Sequence, residues 1–180
     1  MNNNDASTGL RIELVTSGYP HIERILDIRD EVFPANERIA TRKVSQYNKA
    51  NGYITLAFVD DNEVVGFMQL YDCGDDVYYG IYLAIAKEFQ NRHYGSRALK
   101  LVLEEYLKGK MMFACVEALI PEAENYQQRA NRVRFFRRNG LFLLDGVIDG
   151  GERGKFQFIC TDPNVTFEQL NAQFVTYKVE

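Results

Sequence analysis

Little of this 180-residue sequence is apolar for long. The longest unbroken apolar runs, Ile81–Ala86 and Met111–Val116, are six residues each. A helix that crosses a bilayer needs about 18 or more, so no membrane association is expected. Cysteine is scarce, with only Cys73, Cys115 and Cys160. The count is odd and no two stand as C-x-x-C, which disfavours both a disulfide framework and a zinc site. Two histidines, His21 and His93, are too few for a metal centre, and no metal is expected. The phosphate-binding patterns G-x-x-x-x-G-K-[ST] and G-x-G-x-x-G are absent, which disfavours ATP and dinucleotides. There is no internal repeat, and the opening Met1-Asn2-Asn3-Asn4-Asp5 lacks a basic head and an apolar stretch. The expected compartment is therefore the cytoplasm.

What is present is an ordinary globular composition, 46% apolar and 26% charged, with material for a real core. The length suits one domain: a loose polar lead over 1–9 and a single domain over 10–180. A net charge of −4 argues against a general nucleic-acid binder. The charge is uneven. Residues 60–76 carry six acids and no base, and residues 129–138 carry five arginines and no acid. Either run alone reads as a solvated face; together they offer one place for a cation and another for an anion.

Periodicity gives the element order β-α-α-β-β-β-α-β-α-β-β, an α/β (α+β) domain on a mixed sheet. The strands are Arg11–Val15, Tyr53–Val59, Val64–Tyr71, Val77–Ile85, Lys110–Leu119, Leu141–Ile148 and Lys155–Thr161. Helices are expected from His21 to Pro34, over Asn36–Lys49, from Tyr94 to Gly109, over Ala123–Asn139 with Tyr126, Ala130, Val133 and Phe136 inward, and over Thr166–Phe174. Hairpin turns fall at Asp60–Glu63 and Asp72–Asp76.

The chemically informative stretch is Leu83-Ala84-Ile85-Ala86-Lys87-Glu88-Phe89-Gln90-Asn91-Arg92-His93-Tyr94-Gly95-Ser96-Arg97. A buried strand runs through a polar turn into an amphipathic helix. The helix start offers unpaired N–H groups and the positive end of its dipole. Gly95 allows close approach, Ser96 adds a hydroxyl, and Arg92 and Arg97 add fixed charge, together a cradle for a diphosphate. A plain strand-to-helix turn with a packing glycine is the simpler reading of the same residues.

At these residues the sequence resembles the GNAT N-acetyltransferase superfamily, in a bacterial subgroup whose acceptor is not read from sequence. Gln90-Asn91-Arg92-His93-Tyr94-Gly95 is similar to the family's Q/R-x-x-G-x-G/A motif, with His93 in place of the middle glycine, a replacement that suits a negative φ. Arg134-Phe135-Phe136-Arg137-Arg138-Asn139-Gly140-Leu141 resembles its F-Y-x-x-x-G-F signature, and Phe33-Pro34 with Glu37-Arg38 resembles a link between the first two helices. The resemblance covers roughly residues 10–162.

It implies a GNAT-like three-layer domain, its central sheet mixed, mostly antiparallel and flanked by helices. It also implies acetyl-CoA as co-substrate in a V-shaped gap between the fourth and fifth strands. Pantetheine would pair with backbone near Leu83, Ala84 and Ile85, and the diphosphate would rest on Gln90, Asn91, Arg92, His93, Tyr94, Gly95 and Ser96. Arg129, where relatives carry an asparagine, would meet the cofactor. The amine of a small molecule or protein would attack the thioester directly. Glu117, breaking the apolar run at the end of the fifth strand, is the candidate base, with Glu122 and Glu124 behind it. Glu37 and Asp72 are candidates for the acceptor pocket. Phe136 stands at the usual tyrosine acid position and cannot donate a proton; Tyr126 is a substitute donor or, more simply, a core aromatic. A non-catalytic CoA-binding module is the alternative, and self-association as a homodimer is left open.

Overall fold

The computed structural model of the protein describes residues 9–38 and 52–176. Its strands are β1 (Arg11–Leu14), β2 (Tyr53–Asp60), β3 (Glu63–Gly74), β4 (Val77–Ile85), β5 (Met111–Glu117), β6 (Phe142–Leu143), β7 (Ile148–Asp149) and β8 (Lys155–Cys160). They form one eight-stranded sheet in the order β1-β2-β3-β4-β5-β8-β6, with β7 paired to β8. β4 and β5 run parallel, while the pairs β1–β2, β5–β8, β6–β8 and β7–β8 are antiparallel. Four α-helices accompany the sheet among the described residues: α1 (Ile22–Val32), α2 (Tyr94–Leu101), α3 (Tyr126–Arg138) and α4 (Phe167–Thr176). This is the expected mixed α/β architecture. None of the described helices is long and apolar enough to cross a membrane.

The acidic stretch 60–76 owes its composition largely to turns. Asp61 and Asn62 sit at φ of 47° and 62°, and Asp75 and Asp76 at 50° and 59°. A two-residue hairpin loop of the type that matches strand twist needs positive φ at both positions, and Asp and Asn tolerate it better than most residues. Asp72 makes a local turn too, its Oδ1 accepting the Gly74 amide at 2.9 Å.

The chain divides into two compact units. One takes in the described residues up to Leu70 together with Tyr82–Tyr106; the other takes in Tyr71–Ile81 and the described residues from Leu107 onward. In the first, β2 is buried at every position from Tyr53 to Val59, as expected of a strand covered on both faces. Ile25, Ile28, Leu56, Phe58, Phe67 and Leu99 are fully buried there. α2 passes into a single π turn, Val102–Tyr106, with Ala98, Leu99 and Val102 buried.

The second unit has its own aromatic core. Phe113, Phe158 and Phe174 meet edge to face, with ring centroids 5.5–6.5 Å apart, a favoured geometry for aromatic rings. α4 opens on a reciprocal cap: the Thr166 hydroxyl accepts the Gln169 amide, and the Gln169 side chain accepts the Thr166 amide.

Three expectations need correction. The strand foreseen over 141–148 is two short pieces, β6 and β7, both on β8. Gly146 lies between them at φ of 135°, where a Cβ would stand 2.3 Å from the Phe167 ring; the chain gives way there to let that ring into the core. α3 begins at Tyr126, because residues 120–126 are taken up by two successive turns. Tyr126, expected inward, is 40% exposed, which removes the core-aromatic reading. Of the helix foreseen over 36–49, Glu37 belongs to a 3₁₀ turn at Ala35–Glu37, and the stretch from residue 39 on lies outside the described residues.

Candidate active site

The turn between β4 and α2 is built in the first unit. β4 alternates in burial, with Tyr82 and Ala84 buried and Leu83 and Ile85 half-buried. Its last residues are seated by Gly66 on β3, where a Cβ would lie 2.4 Å from the Ala84 carbonyl oxygen and 2.7 Å from Ile85 Cδ1. The Ala86 amide then bonds to the Val65 carbonyl at 3.0 Å. A 3₁₀ turn, Lys87–Phe89, leads onward, and the Gln90 side-chain amide donates back to the Ile85 carbonyl at 3.0 Å. Gln90 therefore closes the loop on the strand end with its side chain.

From here the backbone reverses hand. Asn91 and His93 take φ of 61° and 62°, while Arg92 and Tyr94 keep negative φ. His93 thus occupies the conformation a glycine would supply, so the negative φ that would suit its replacement of the motif's middle glycine is not what the backbone adopts. Asn and His are among the few side chains found there with some frequency. Alternation of this kind turns successive N–H groups toward one concavity that suits an anion. The first hydrogen-bonded amide of α2 is that of Arg97, 3.1 Å from the His93 carbonyl. Among the described residues, the amides of Asn91 to Gly95 meet no acceptor. Arg92 is exposed, lies over the Phe89 ring at 5.9 Å, and pairs with no carboxylate among the described residues. Open amides and an open guanidinium are what a diphosphate requires.

The walls of the turn are held by side chains from far away in sequence. The Tyr94 hydroxyl donates to Asp60 Oδ2 at 2.7 Å, and Arg97 Nη1 lies 4.0 Å from the same oxygen. The Arg97 guanidinium stacks over Tyr94 at 5.1 Å, and Phe89 meets Tyr94 edge to face at 5.5 Å. The bond to Asp60 pushes the Tyr94 phenol above its usual range. On the other side Arg24 pairs with Glu88, and Lys87 lies 3.9 Å from Glu31, both acting from α1.

The second unit carries an ionic cluster at the end of β5. Glu117 Oε1 accepts from the Asn125 amide at 3.0 Å, and Oε2 accepts from Arg132 Nη1 at 2.6 Å. Arg129 Nη2 stands 3.4 Å from Oε1. Burial pulls the Glu117 carboxyl upward, but the Asn125 bond and the two guanidiniums outweigh it and hold it below the ordinary carboxylate range. Arg129 also donates to Asn125 Oδ1 at 2.6 Å and to the Ala118 carbonyl at 2.9 Å. All three of its guanidinium nitrogens have a partner within the unit, which fixes the plane of the group beside Glu117.

Phe136 lies one helical turn beyond Arg132 on the same stripe of α3. It is half-buried, with its ring 5.1 Å from that of Phe135. Gly140 follows the helix at φ of 89°, as its place predicts. Glu122 and Glu124 are both exposed, and neither pairs with a cation among the described residues. Glu37 offers its carbonyl to the Tyr82 hydroxyl. Four residues of these sites escaped sequence reasoning: Gly66, Asp60 in its contact role, Asn125 and Arg132. Only Asn125 carried a signal, an amide just ahead of a helix. Among the described residues no group of three or more His, Cys, Asp or Glu could hold a metal.

Residues 22–141 match the family model of the GNAT acetyltransferases. No curated protein matches the sequence significantly. Among solved structures, a Bacteroides thetaiotaomicron protein assigned to the GNAT family of acetyltransferases is 21% identical with a TM-score of 0.75, over 94% of this chain and 97% of that one. An aminoglycoside 6′-N-acetyltransferase complexed with coenzyme A is 14% identical with a TM-score of 0.64, over 86% and 99%. A GNAT-family acetyltransferase from Elizabethkingia anophelis with acetyl-CoA bound is 16% identical with a TM-score of 0.57, over 85% and 97%. At such identities the likeness is one of fold.

Proposed function

The chain belongs to the GNAT acetyltransferase family, and from that premise we propose that it transfers an acetyl group from acetyl-CoA to a primary amine of a small molecule or protein. The observation that carries this reading is the turn after β4, where among the described residues the amides from Asn91 to Gly95 meet no acceptor and Arg92 meets no carboxylate. These groups fit the diphosphate of CoA. The backbone at Leu83, Ala84 and Ile85 would receive the pantetheine arm, and Ser96 would add its hydroxyl beside the phosphates. In this reading the matched region acts as one acetyltransferase domain, since a single family model runs through residues of both units.

The amine nitrogen attacks the thioester carbonyl carbon, the C–S bond breaks, and the thiolate of CoA leaves. Holding the two reactants in line supplies much of the rate in such a reaction. Glu117 is the candidate acceptor for the amine proton. Its guanidinium partners keep it ionised at neutral pH, which is the state a base needs. They also make it a weak base, far from the matched pKa that favours proton transfer. Positioning therefore carries more of the reaction than proton removal, and turnover should rise with pH as more of the amine is neutral.

The phenylalanine at 136 favours a second reading, a CoA-binding module without turnover, because a hydrocarbon ring cannot protonate the thiolate. One experiment addresses both. The protein is titrated with acetyl-CoA, then incubated with a panel of amines while thiol release is followed. Saturable binding with amine-dependent thiol release is expected. Binding without release from any amine supports the second reading, and a melt unmoved by millimolar acetyl-CoA removes both, since a ligand at a hundredfold over Kd stabilises by about 2.7 kcal/mol.

A further inference from the structure

We propose that Asp60, at the end of β2, is a positioning residue for the donor: it sets the anion-binding turn through Tyr94 and Arg97 without touching the ligand itself. The inference rests on the acetyl-CoA reading above. Asp60 is 34 residues from Tyr94 in sequence, yet its Oδ2 takes the Tyr94 hydroxyl at 2.7 Å and faces Arg97 at 4.0 Å. The Asp60 side chain is 17% exposed, so water competes weakly for its oxygens.

The two contacts act on the first turn of α2 from one side. Tyr94 is the residue that follows left-handed His93, so fixing its hydroxyl fixes where the reversed backbone enters the helix. Phe89 packs against the Tyr94 ring at 80°, and Arg97 lies over its face. The ring is thereby held at its hydroxyl and by two further side chains. Left-handed φ at Asn91 and His93 is intrinsically unfavourable for side-chain-bearing residues, so the turn needs such external restraint to keep its amides aimed. Asp60 also draws Arg97 toward β2, while Arg92 pairs with no carboxylate among the described residues.

The test compares two ligands in four proteins: wild type, Asp60→Ala, Tyr94→Phe and the double variant. CoA carries the diphosphate; pantetheine ends before it. Binding of each is measured by titration calorimetry, and circular dichroism establishes that each variant is folded. Asp60→Ala should weaken CoA by tenfold or more and Tyr94→Phe by about threefold, with pantetheine affinity unchanged in both. The double variant should be no worse than Asp60→Ala alone, because the two side chains act as one restraint. Equal CoA affinity in folded variants would overturn the proposal, and so would an equal loss for both ligands, which marks a general structural role. A wild type that binds pantetheine and CoA equally well would instead overturn the diphosphate reading of the turn.

Discussion

The turn after β4 and the cluster at the end of β5 both concentrate arginines and polar groups, yet they spend them in opposite ways. In the cluster every charge is answered from within: Glu117 faces Arg129, Arg132 and Asn125, and Arg129 reaches a backbone carbonyl as well. In the turn the restraints are peripheral, at Asp60, Glu88 and Glu31, and the central amides and Arg92 are left open among the described residues. A saturated network stiffens a helix against a strand; an unsaturated one is prepared for a ligand. Arginine count alone would have ranked the two the other way, since α3 is the richer in that residue.

The largest expected effect breaks the turn and spares the cluster. Gly66→Val places a branched side chain against the Ala84 carbonyl oxygen and Ile85 and should cost about 3 kcal/mol, the upper range for overpacking. Urea unfolding measures the cost. CoA binding should be lost in the same variant, because the strand end that leads into the turn is displaced.

A smaller effect acts on the cluster alone. Glu117→Gln keeps the shape but leaves two guanidiniums without a carboxylate, a loss of about 2 kcal/mol, as for charged hydrogen bonds. The Asn125 bond and the two guanidiniums hold the Glu117 carboxyl below the ordinary carboxylate range in the folded protein. Its contribution is therefore present above the unfolded carboxyl value and fades as pH falls through the folded one. Unfolding of wild type and variant should differ at pH 7 and converge as pH falls through the lowered folded carboxyl value. A gap that persisted into acid would show that the carboxylate's charge is not what holds α3.

The smallest effect sharpens the contrast. His93→Gly relieves about 1 kcal/mol of left-handed strain but adds unfolded-chain freedom of similar size. Stability should change by less than about 1 kcal/mol, and CoA should bind at least as well. A large loss on either measurement would mean that the imidazole itself, rather than its backbone, is needed.

Much of the fold was legible because local chemistry dictated it. β4 was read to the residue from its β-prone alternation, and the Asp-rich hairpins from their turn chemistry. The break at Gly146 was not, because its cause is Phe167, a ring that reaches the site only after folding. The turn after β4 was found from its amides and glycine, while the left-handed state of His93 was hidden by an identity that does not announce it. The anchoring of Arg129 was hidden for a related reason. Its partners Glu117, Asn125 and the Ala118 carbonyl precede it on β5 and the following loop, and only the tertiary structure brings them to its three guanidinium nitrogens.

The three cysteines, described so far as scarce, determine how the chemistry can be watched. All are unpaired; Cys73 and Cys160 are buried and Cys115 is half-buried. Burial pushes the thiols of Cys73 and Cys115 up to about 11 and raises that of Cys160 as well. A thiol-seeking dye reacts with thiolate, so the folded chain should stay nearly silent near neutral pH. Colour in such an assay then counts the CoA set free, turnover by turnover. When the chain is unfolded, the same dye becomes a tally of its own three thiols.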